Sequence, residues 1–342
     1  MRPLLAITMG DPAGIGPEIC VKALADKRVF ESSIPVVIGD RIAIEDAVRF
    51  TGSTLKVKTL QSLEKAEGIP GTLELLDMNL LQKEDYQYGQ VNAGCGEAAF
   101  RYIEYGINSA LAGTAAAVVT GPINKEALHM AGHFFSGHTE IFAHYTNTSN
   151  YGMMLMGGGL RVIHCTTHVS MRQACDLITQ ERVYNTIKLA KEALREIGMP
   201  DGRIGVAGFN AHSSENGLFG NEEELAIIPA IRQAQSEGLL VEGPVPPDTV
   251  FVKALAGHFA IVVAMYHDQG HIPLKLIGFK LDPETGLFTS MSGINTTIGL
   301  PIIRTSVDHG TAFDRAGKNI ANEESLLDAI DLAVQMARNR AG

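Results

Sequence analysis

The chain has 342 residues, 45% of them hydrophobic and 19% charged, with a formal net charge of −10. That length is more than one compact core usually holds and points to two lobes, while no apolar run approaches the ~20 residues a membrane span requires. The acidic balance argues against a nucleic-acid partner, which needs clustered Lys and Arg, but leaves small anions open.

The N-terminal "MRPLLAITMGDPAG" runs directly into an apolar strand, without the long apolar segment or cleavage site of a signal peptide, so a cytoplasmic location is expected. "LLAIT" (4–8) reads as a buried strand, "GPEICVKALADK" (16–27) as a helix with Pro17 near its start, and "PVVIG" (35–39) as the next strand, followed by a helix from about Asp40. A long helix covers 96–113, and "AAAVVT" (115–120) is a strand leading into "GPINKEALHMAG". Then come "MMLMGG", "LRVIHCTTH", the helix "RVYNTIKLAKEALREIG", the strand "RIGVAGF", the helix "EEELAIIPAIRQAQSEG", and "FAIVVAMYHDQG"; "ESLLDAIDLAVQMARNR" closes the chain as a helix. Strands separated by helices of this length imply α/β architecture with a largely parallel sheet. Cys20, Cys95, Cys165 and Cys175 form no CxxC pair and read as buried thiols of a reducing compartment.

Polar clusters follow the apolar strands: "TMGDPAGIGPE", "TGPINK", "CTTH", "NAHSSENG" and "YHDQG". Ligands bind outside the carboxyl ends of strands in open α/β sheets, so five such ends imply one shared cleft. His168, His212 and His267 each stand within a few residues of a strand end. Three imidazoles suit a transition metal and leave positions open for a substrate. Asp268 would then support His267 or handle a proton. The spacing alone is weak, because any one of 11 histidines is more often structural. His129, His133, His144, His258 and His309 read as structural or surface by default; His164 and His271 lie near a candidate ligand and are left open.

"GDPAGIGPE" (10–18) has the composition of a phosphate-cradling loop before a helix, but a tight strand–helix turn explains it as well. "SGHTE" (136–140) opens a helix-like stretch where His138 and Thr139 would offer donors to an anion, or Thr139 would simply cap. Lys275 and Arg304 are cations on apolar stretches and need partners, either a substrate anion or an internal acid.

In order, "TMGDPAGIGPE", "TGPINK", "GHTE", "TTH", "NAHSSENG", "PPDTVF", "YHDQGHIPLK" and "NTTIGLPIIRTSVDHGTAFDRAGK" resemble the 4-hydroxythreonine-4-phosphate dehydrogenases of pyridoxal-phosphate biosynthesis over nearly the whole chain. "SVDHGTAFDRAGKNIAN" is also similar to the adenosine-binding loop of isocitrate and isopropylmalate dehydrogenases. The resemblance implies a two-domain α/β fold of that dehydrogenase type with an interdomain cleft. Residues 1–130 and 300–342 would form the cofactor side, and 131–299 the metal, substrate and dimerisation side. It implies a homodimer whose site is shared across the interface, with a divalent metal (Zn²⁺, Mg²⁺, Mn²⁺ or Co²⁺) on His168, His212 and His267, the third ligand coming from the partner chain. Substrate contacts fall on His138, Thr139, Lys275, Asn295 and Arg304, with Lys275, Asp268 and Asp248 as catalytic candidates. NAD or NADP would lie along the segment from Gly299 to Asn322, touching Asp308, His309, Gly310 and Thr311. The implied chemistry is oxidation of a phosphorylated 3-hydroxy acid, 4-phosphohydroxy-L-threonine, to a 3-oxo acid that decarboxylates.

Two features depart from that pattern. The segment 276–294 between Lys275 and Asn295 is long, either reshaping the pocket or lying on the surface as a neutral insertion. "HDQGHIPLK", with His271, resembles the paralogous branch that converts D-threonate or D-erythronate 4-phosphate to dihydroxyacetone phosphate and CO₂, and also the dehydrogenases of aromatic cis-dihydrodiol carboxylates. Lys275, Asn295 and Arg304 favour a phosphorylated substrate over an aromatic one. A three-histidine hydrolase or aldolase without a redox cofactor, and a non-catalytic anion-binding protein, are the competing classes; the segment 306–322 weighs against the hydrolase.

Overall fold

Strands and helices alternate from the first apolar run, and the computed structural model describes residues 2–284, 288–291 and 293–341. In chain order, β1 (Leu4–Thr8) is followed by α1 (Gly16–Ala25), α2 (Lys27–Ser32), β2 (Ile34–Gly39), α3 (Arg41–Thr51), β3 (Lys56–Leu60), β4 (Thr72–Asp77), α4 (Ala93–Leu111), β5 (Ala117–Thr120), α5 (Lys125–Met130) and α6 (His138–Tyr145). Next come β6 (Gly152–Gly157), β7 (Leu160–His164), α7 (Met171–Leu177), α8 (Gln180–Glu196), β8 (Ile204–Ala207), a π-helical turn (Glu223–Ile227) running into α9 (Ile228–Ser236), β9 (Val241–Val245), α10 (Pro247–Leu255), β10 (Ile261–Ala264), α11 (His267–Gly278), β11 (Phe279–Leu281), β12 (Phe288–Met291) and β13 (Ile294–Ile298). The chain ends with β14 (Arg304–Val307) and α12 (Glu324–Ala341).

These elements form two units, Met1–Thr148 with Leu300–Gly342, and Ser149–Gly299. In the first, the order β3-β4-β2-β1-β5-β14 is parallel throughout. A parallel sheet is covered on both faces, which is why its strands are continuous apolar runs; Leu5, Ala6 and Ile7 of β1 are fully buried. In the second, β7, β10, β8 and β9 are parallel, while β6 runs antiparallel to both β13 and β7. The largely parallel α/β architecture read from the sequence is therefore present, with an antiparallel edge in the second unit.

The first unit extends past residue 130, because Ile141 and Phe142 of α6 pack with Phe100, Ile103, Val118 and Leu128 in one buried cluster. His138 and Thr139 thus belong with the first unit rather than with 131–299. The stretch after Lys275 contains an antiparallel pair, β11 with β12, in register Phe279 to Met291; residues 285–287 and 292 of that expected loop lie outside the described residues.

Candidate active site

The order β7-β10-β8 sets three parallel strands side by side, so the turns that leave their carboxyl ends are neighbours. Those turns carry His168, His267 and His212. A pocket of about 480 Å³ opens there, lined among others by Thr166, His168, Ser170, Tyr266, His267 and Asp268. β10 stops at Ala264, and His267 is the first residue of α11 rather than the end of a strand. The helix places His271 and Lys275 at i+4 and i+8 from His267, along one face.

The His168 and His267 rings lie 5.8 Å apart, centre to centre. His267 Nδ1 is 2.7 Å from Asp268 Oδ1, a pairing that leaves Nε2 for another ligand. This bond holds the Asp268 carboxyl below its ordinary range. His271 stacks on His267 at 3.6 Å and 12°, and its Nδ1–H donates to the His267 carbonyl at 2.9 Å. Behind it, His164 is fully buried 4.8 Å from His271, donates from Nδ1 to Met153 O at 3.3 Å, and has no hydrogen-bond partner at Nε2 among the described residues. Burial, aided by neighbouring positive charge, lowers His164 to about 3 and His271 to about 4, so both are neutral at pH 7. The sequence left these two histidines open; the signals were the i+4 spacing of His271 from His267 and the place of His164 at the end of an apolar strand.

His212 follows β8 in an unusual turn, and its Nδ1 faces Asp248 Oδ2 at 3.9 Å, with both side chains 58% exposed. Among the described residues, no group of three or more His, Cys, Asp or Glu side chains is placed to hold one metal ion. The structure therefore brings His168 and His267 together and leaves His212 with Asp248. The chemistry of the donors still fits a divalent metal: half-exposed imidazoles, two of them backed by carboxylates, are ordinary ligands for one. Among the described residues the set is not closed.

The first unit holds the anion-binding candidates. Arg304 on β14 is buried, donates from Nη2 to Thr120 Oγ1 at 3.1 Å, and lies over the Phe142 ring at 5.7 Å. Burial pushes it down to about 9, with Glu140 opposing, so it remains a cation at neutral pH. His138 begins α6 after Gly137, which supplies no side-chain cap, so Thr139 lies in the first turn and is not the cap. The His138 Nε2 is enclosed without a partner among the described residues, and burial, then the charges of Arg304 and Lys125, hold the ring far below its ordinary pKa. A neutral imidazole beside buried positive charge suits an anionic group. Lys275 sits over the Phe279 ring at 5.4 Å, and Asn295 pairs with Leu155 in the β13–β6 ladder.

The expected cofactor segment leaves β14 at Asp308, whose N–H donates to Ser325 Oγ at 3.2 Å. His309 Nδ1 bonds Gly310 O, and burial lowers that imidazole. Thr311 O accepts from Ile15 N at 3.0 Å, and a Cβ on Gly14 would meet Thr311 Cβ at 2.9 Å. Asn322 Oδ1 accepts from Glu324 N at the start of α12. In the glycine-rich loop, the N–H groups of Asp11, Ala13, Gly14 and Ile15 are all engaged within the protein. That favours the tight turn over a phosphate cradle for that stretch. Gly299, at φ +93, lies against Asn150 O, where a Cβ would be 2.5 Å away.

The fold defines the class: a largely parallel α/β protein whose second unit carries imidazole–carboxylate pairs after the carboxyl ends of its strands. Residues 31–333 match the family described as "Pyridoxal phosphate biosynthetic protein PdxA", and the chain belongs to that family. It is 47% identical over 340 residues to the D-threonate 4-phosphate dehydrogenase of Cupriavidus necator, covering 99% of this chain and 98% of that one. The enzyme of the same name from Salmonella typhimurium is 44% identical, over 97% of this chain and 98% of its own. The solved structure of 4-hydroxythreonine-4-phosphate dehydrogenase from Klebsiella pneumoniae is 44% identical, covers 98% of both chains and superposes with a TM-score of 0.85. The chain is thus an oxidoreductase of the dehydrogenase type, acting on a CH–OH group. No described helix is long and apolar enough to cross a membrane.

Proposed function

We propose that the protein oxidises D-threonate 4-phosphate, or the closely similar D-erythronate 4-phosphate, at C3 with NAD or NADP, giving a 3-oxo acid that loses CO₂. The observation that carries this reading is the stretch "YHDQGHIPLK", whose His271 stacks on His267 at the candidate metal position, together with 44–47% identity to relatives bearing the first of these activities in their names. Oxidation of 4-phosphohydroxy-L-threonine is the second reading, favoured by the likeness to the Klebsiella pneumoniae structure. The two substrates differ at C2, a hydroxyl in one and an ammonium in the other.

A nicotinamide cofactor, if bound, would supply the hydride acceptor for oxidation at C3, and a divalent metal would supply Lewis-acid chemistry at the same carbon's oxygen. His168, His212 and His267 are the residues proposed to hold it. Asp268, bonded to His267 Nδ1 at 2.7 Å, would fix that ring and leave its Nε2 as the ligating nitrogen, and Asp248, 3.9 Å from His212 Nδ1, is proposed to play the same part for His212. His138, Thr139 and Arg304 are proposed for the phosphate, where Arg304 supplies charge that is already desolvated and fixed in place. Lys275 and Asn295 are further substrate contacts, and Lys275, at i+8 from His267, is the candidate for delivering a proton as CO₂ leaves. The cofactor is proposed to lie along Gly299–Asn322, with Asp308, His309, Gly310 and Thr311.

A homodimer is part of this reading. α10 and α11 pack side by side on one face of the second unit's sheet through Val250, Phe251, Leu274 and Ile277. Their outer faces expose Val252 at 65%, Ile272 at 64% and Leu276 at 80%. A second copy covering that apolar surface would bring further ligands beside His168 and His267. The test is kcat/KM on D-threonate 4-phosphate, D-erythronate 4-phosphate and 4-phosphohydroxy-L-threonine, read at 340 nm with each nucleotide and with Zn²⁺, Mg²⁺, Mn²⁺ or Co²⁺. At least a tenfold preference for one of the sugar-acid phosphates supports the first reading, and the reverse preference selects the second. No reduction of either nucleotide with any of them, in folded and metal-replete protein, refutes both.

A further inference from the structure

The turn that carries His212 is left-handed over five consecutive non-glycine residues. φ is +49 at His212, +55 at Ser213, +65 at Ser214, +44 at Glu215 and +60 at Asn216. L-residues avoid that region, and such conformations persist only where the surroundings over-determine them. The residues that lead into the turn are firmly anchored. Glu223 is 1% exposed, and its Oε1 accepts from the N–H of Phe209 and of Asn210, both at 2.7 Å. Its Oε2 accepts from Asn210 Nδ2 at 2.8 Å, and the same amide donates to Glu222 Oε2 at 2.7 Å. One buried carboxylate therefore fixes two successive backbone N–H groups and a side chain, two residues ahead of His212.

The rest of the anchorage agrees. Gln269 donates to Gly208 O at 2.8 Å and accepts from Met265 N at 2.7 Å, tying the end of β8 to the turn that carries His267. The chain then folds back on itself, so that a Cβ on Gly208 would meet Ser213 Oγ at 2.5 Å. Glu223 stands in the π-helical turn Glu223–Ile227, directly ahead of Pro229 in the first turn of α9. Pro229 has no N–H for the Leu225 carbonyl, which favours the wider turn, and single π turns are frequent beside functional sites.

We propose that Glu223 is a positioning residue for His212: its carboxylate holds residues 209–210 so that the left-handed turn aims the imidazole at the metal. The proposal rests on the reading of His212 as a metal ligand. Glu223 touches neither metal nor substrate, and acts only through the backbone that leads to the ring.

The test measures Zn²⁺ affinity of the full-length, substrate-free protein by competition with a chromophoric chelator, for wild type, E223Q, H212A and the double variant. Gln keeps the size of the side chain but turns a donor toward Asn210 Nδ2. E223Q is expected to weaken Zn²⁺ binding by about 10- to 100-fold, the usual effect of removing a group that orients a ligand. It should add less than about twofold in the H212A background, because removing the ring removes what Glu223 positions. A general structural role would weaken binding equally in both backgrounds, and that result overturns the proposal. E223Q binding Zn²⁺ within about twofold of wild type, while H212A loses it, also overturns the proposal but leaves the metal reading of His212 standing. If H212A binds Zn²⁺ like wild type, the metal reading falls and the proposal with it. Should E223Q not fold, amide exchange in the wild-type protein decides: slow exchange at Phe209 and Asn210, slowed further from Asn210 to Asn216 by Zn²⁺, supports the carboxylate anchor, and fast exchange there overturns it.

Discussion

Gly270 tests whether the seating of α11 controls the site. It lies between His267 and His271, where an added Cβ would meet His164 Nε2 at 2.4 Å and Val162 Cγ1 at 2.6 Å. Ordinary contact begins at 3.4 Å, so G270A must lift the helix from β7 by about 1 Å or displace His164. His164 cannot move freely, being fully buried, bonded to Met153 O and packed beside His271. Overpacking of this kind costs ~1–3 kcal/mol, offset by the ~1 kcal/mol that Ala gains over Gly inside a helix. The net expectation is a loss of up to about 2 kcal/mol, a fall of several degrees in Tm for a chain of this size. Activity should fall further than stability, because a shift near 1 Å in a positioned group can cost about 100-fold in rate. The assay is thermal melting in chelator beside initial rates at 340 nm, with kcat/KM expected down 10- to 100-fold. If G270A melts at or above the wild-type temperature with unchanged turnover, the seating of α11 on His164 does not control the site, and the reasoning is wrong.

Three further outcomes follow from the geometry. D268N removes the carboxylate on His267 Nδ1 and is expected to weaken Zn²⁺ binding by roughly 10- to 100-fold without lowering the chelator-treated Tm, since Asp268 is 67% exposed; calorimetric titration checks it. Asp11 is 1% exposed with an unpartnered Oδ2, and burial raises it to about 6. From about pH 4 to 6 the folded chain therefore holds a proton that the unfolded chain has released, so stability falls as pH rises through that window. D11N, whose Oδ1 still accepts from Ala13 N, should stabilise by ~2–3 kcal/mol at pH 8 and by much less at pH 4; an equal gain at both, in urea unfolding, would contradict this. V252E with L276E places charge on the exposed apolar faces of α10 and α11, and sedimentation should show a monomer with lost turnover and an unchanged circular dichroism spectrum.

Much of this arrangement was legible in the residues, for specific physical reasons. Runs such as "LLAI" and "IVVA" are apolar at every position because parallel strands are buried on both faces, and the polar residues after them mark the carboxyl edge of the strands. The order of the strands was not legible: nothing in the sequence says that β10 lies between β7 and β8, because crossover connections leave no local signal. The sequence does not announce α11 as a helix, because Gly270 and Pro273 interrupt its helical pattern, yet β7 and β6 support it from beneath. β13, "INTTI", carries too few apolar residues to announce itself and is held by its ladder with β6. The left-handed run at His212 was the least accessible feature, since "HSSEN" has no glycine to suggest it and the residues that lead into it are held by Glu223, which lies 11 residues beyond the ring.

The two halves of the proposed chemistry are built to different degrees of completion. The anion-binding candidates are finished within one chain: Arg304 is 2% exposed, braced by Thr120 and Phe142, and the cost of desolvating its charge is met when the unit folds. A phosphate bound there, as proposed, would meet a cation that need not be ordered or dehydrated again, which is how rigid sites spend binding energy on orientation. The metal candidates are unfinished: His212 is 58% exposed and His267 36%, and no three donors converge in the described chain. Exposed donors on fixed turns are what a site completed by a second copy requires, since each must be reachable from outside its own subunit. If so, metal affinity and dimerisation are linked, and dilution below the dimer dissociation constant should weaken Zn²⁺ binding while leaving phosphate binding at Arg304 unchanged. A metal affinity independent of protein concentration, across the range where the dimer dissociates, would place the whole metal site within a single chain.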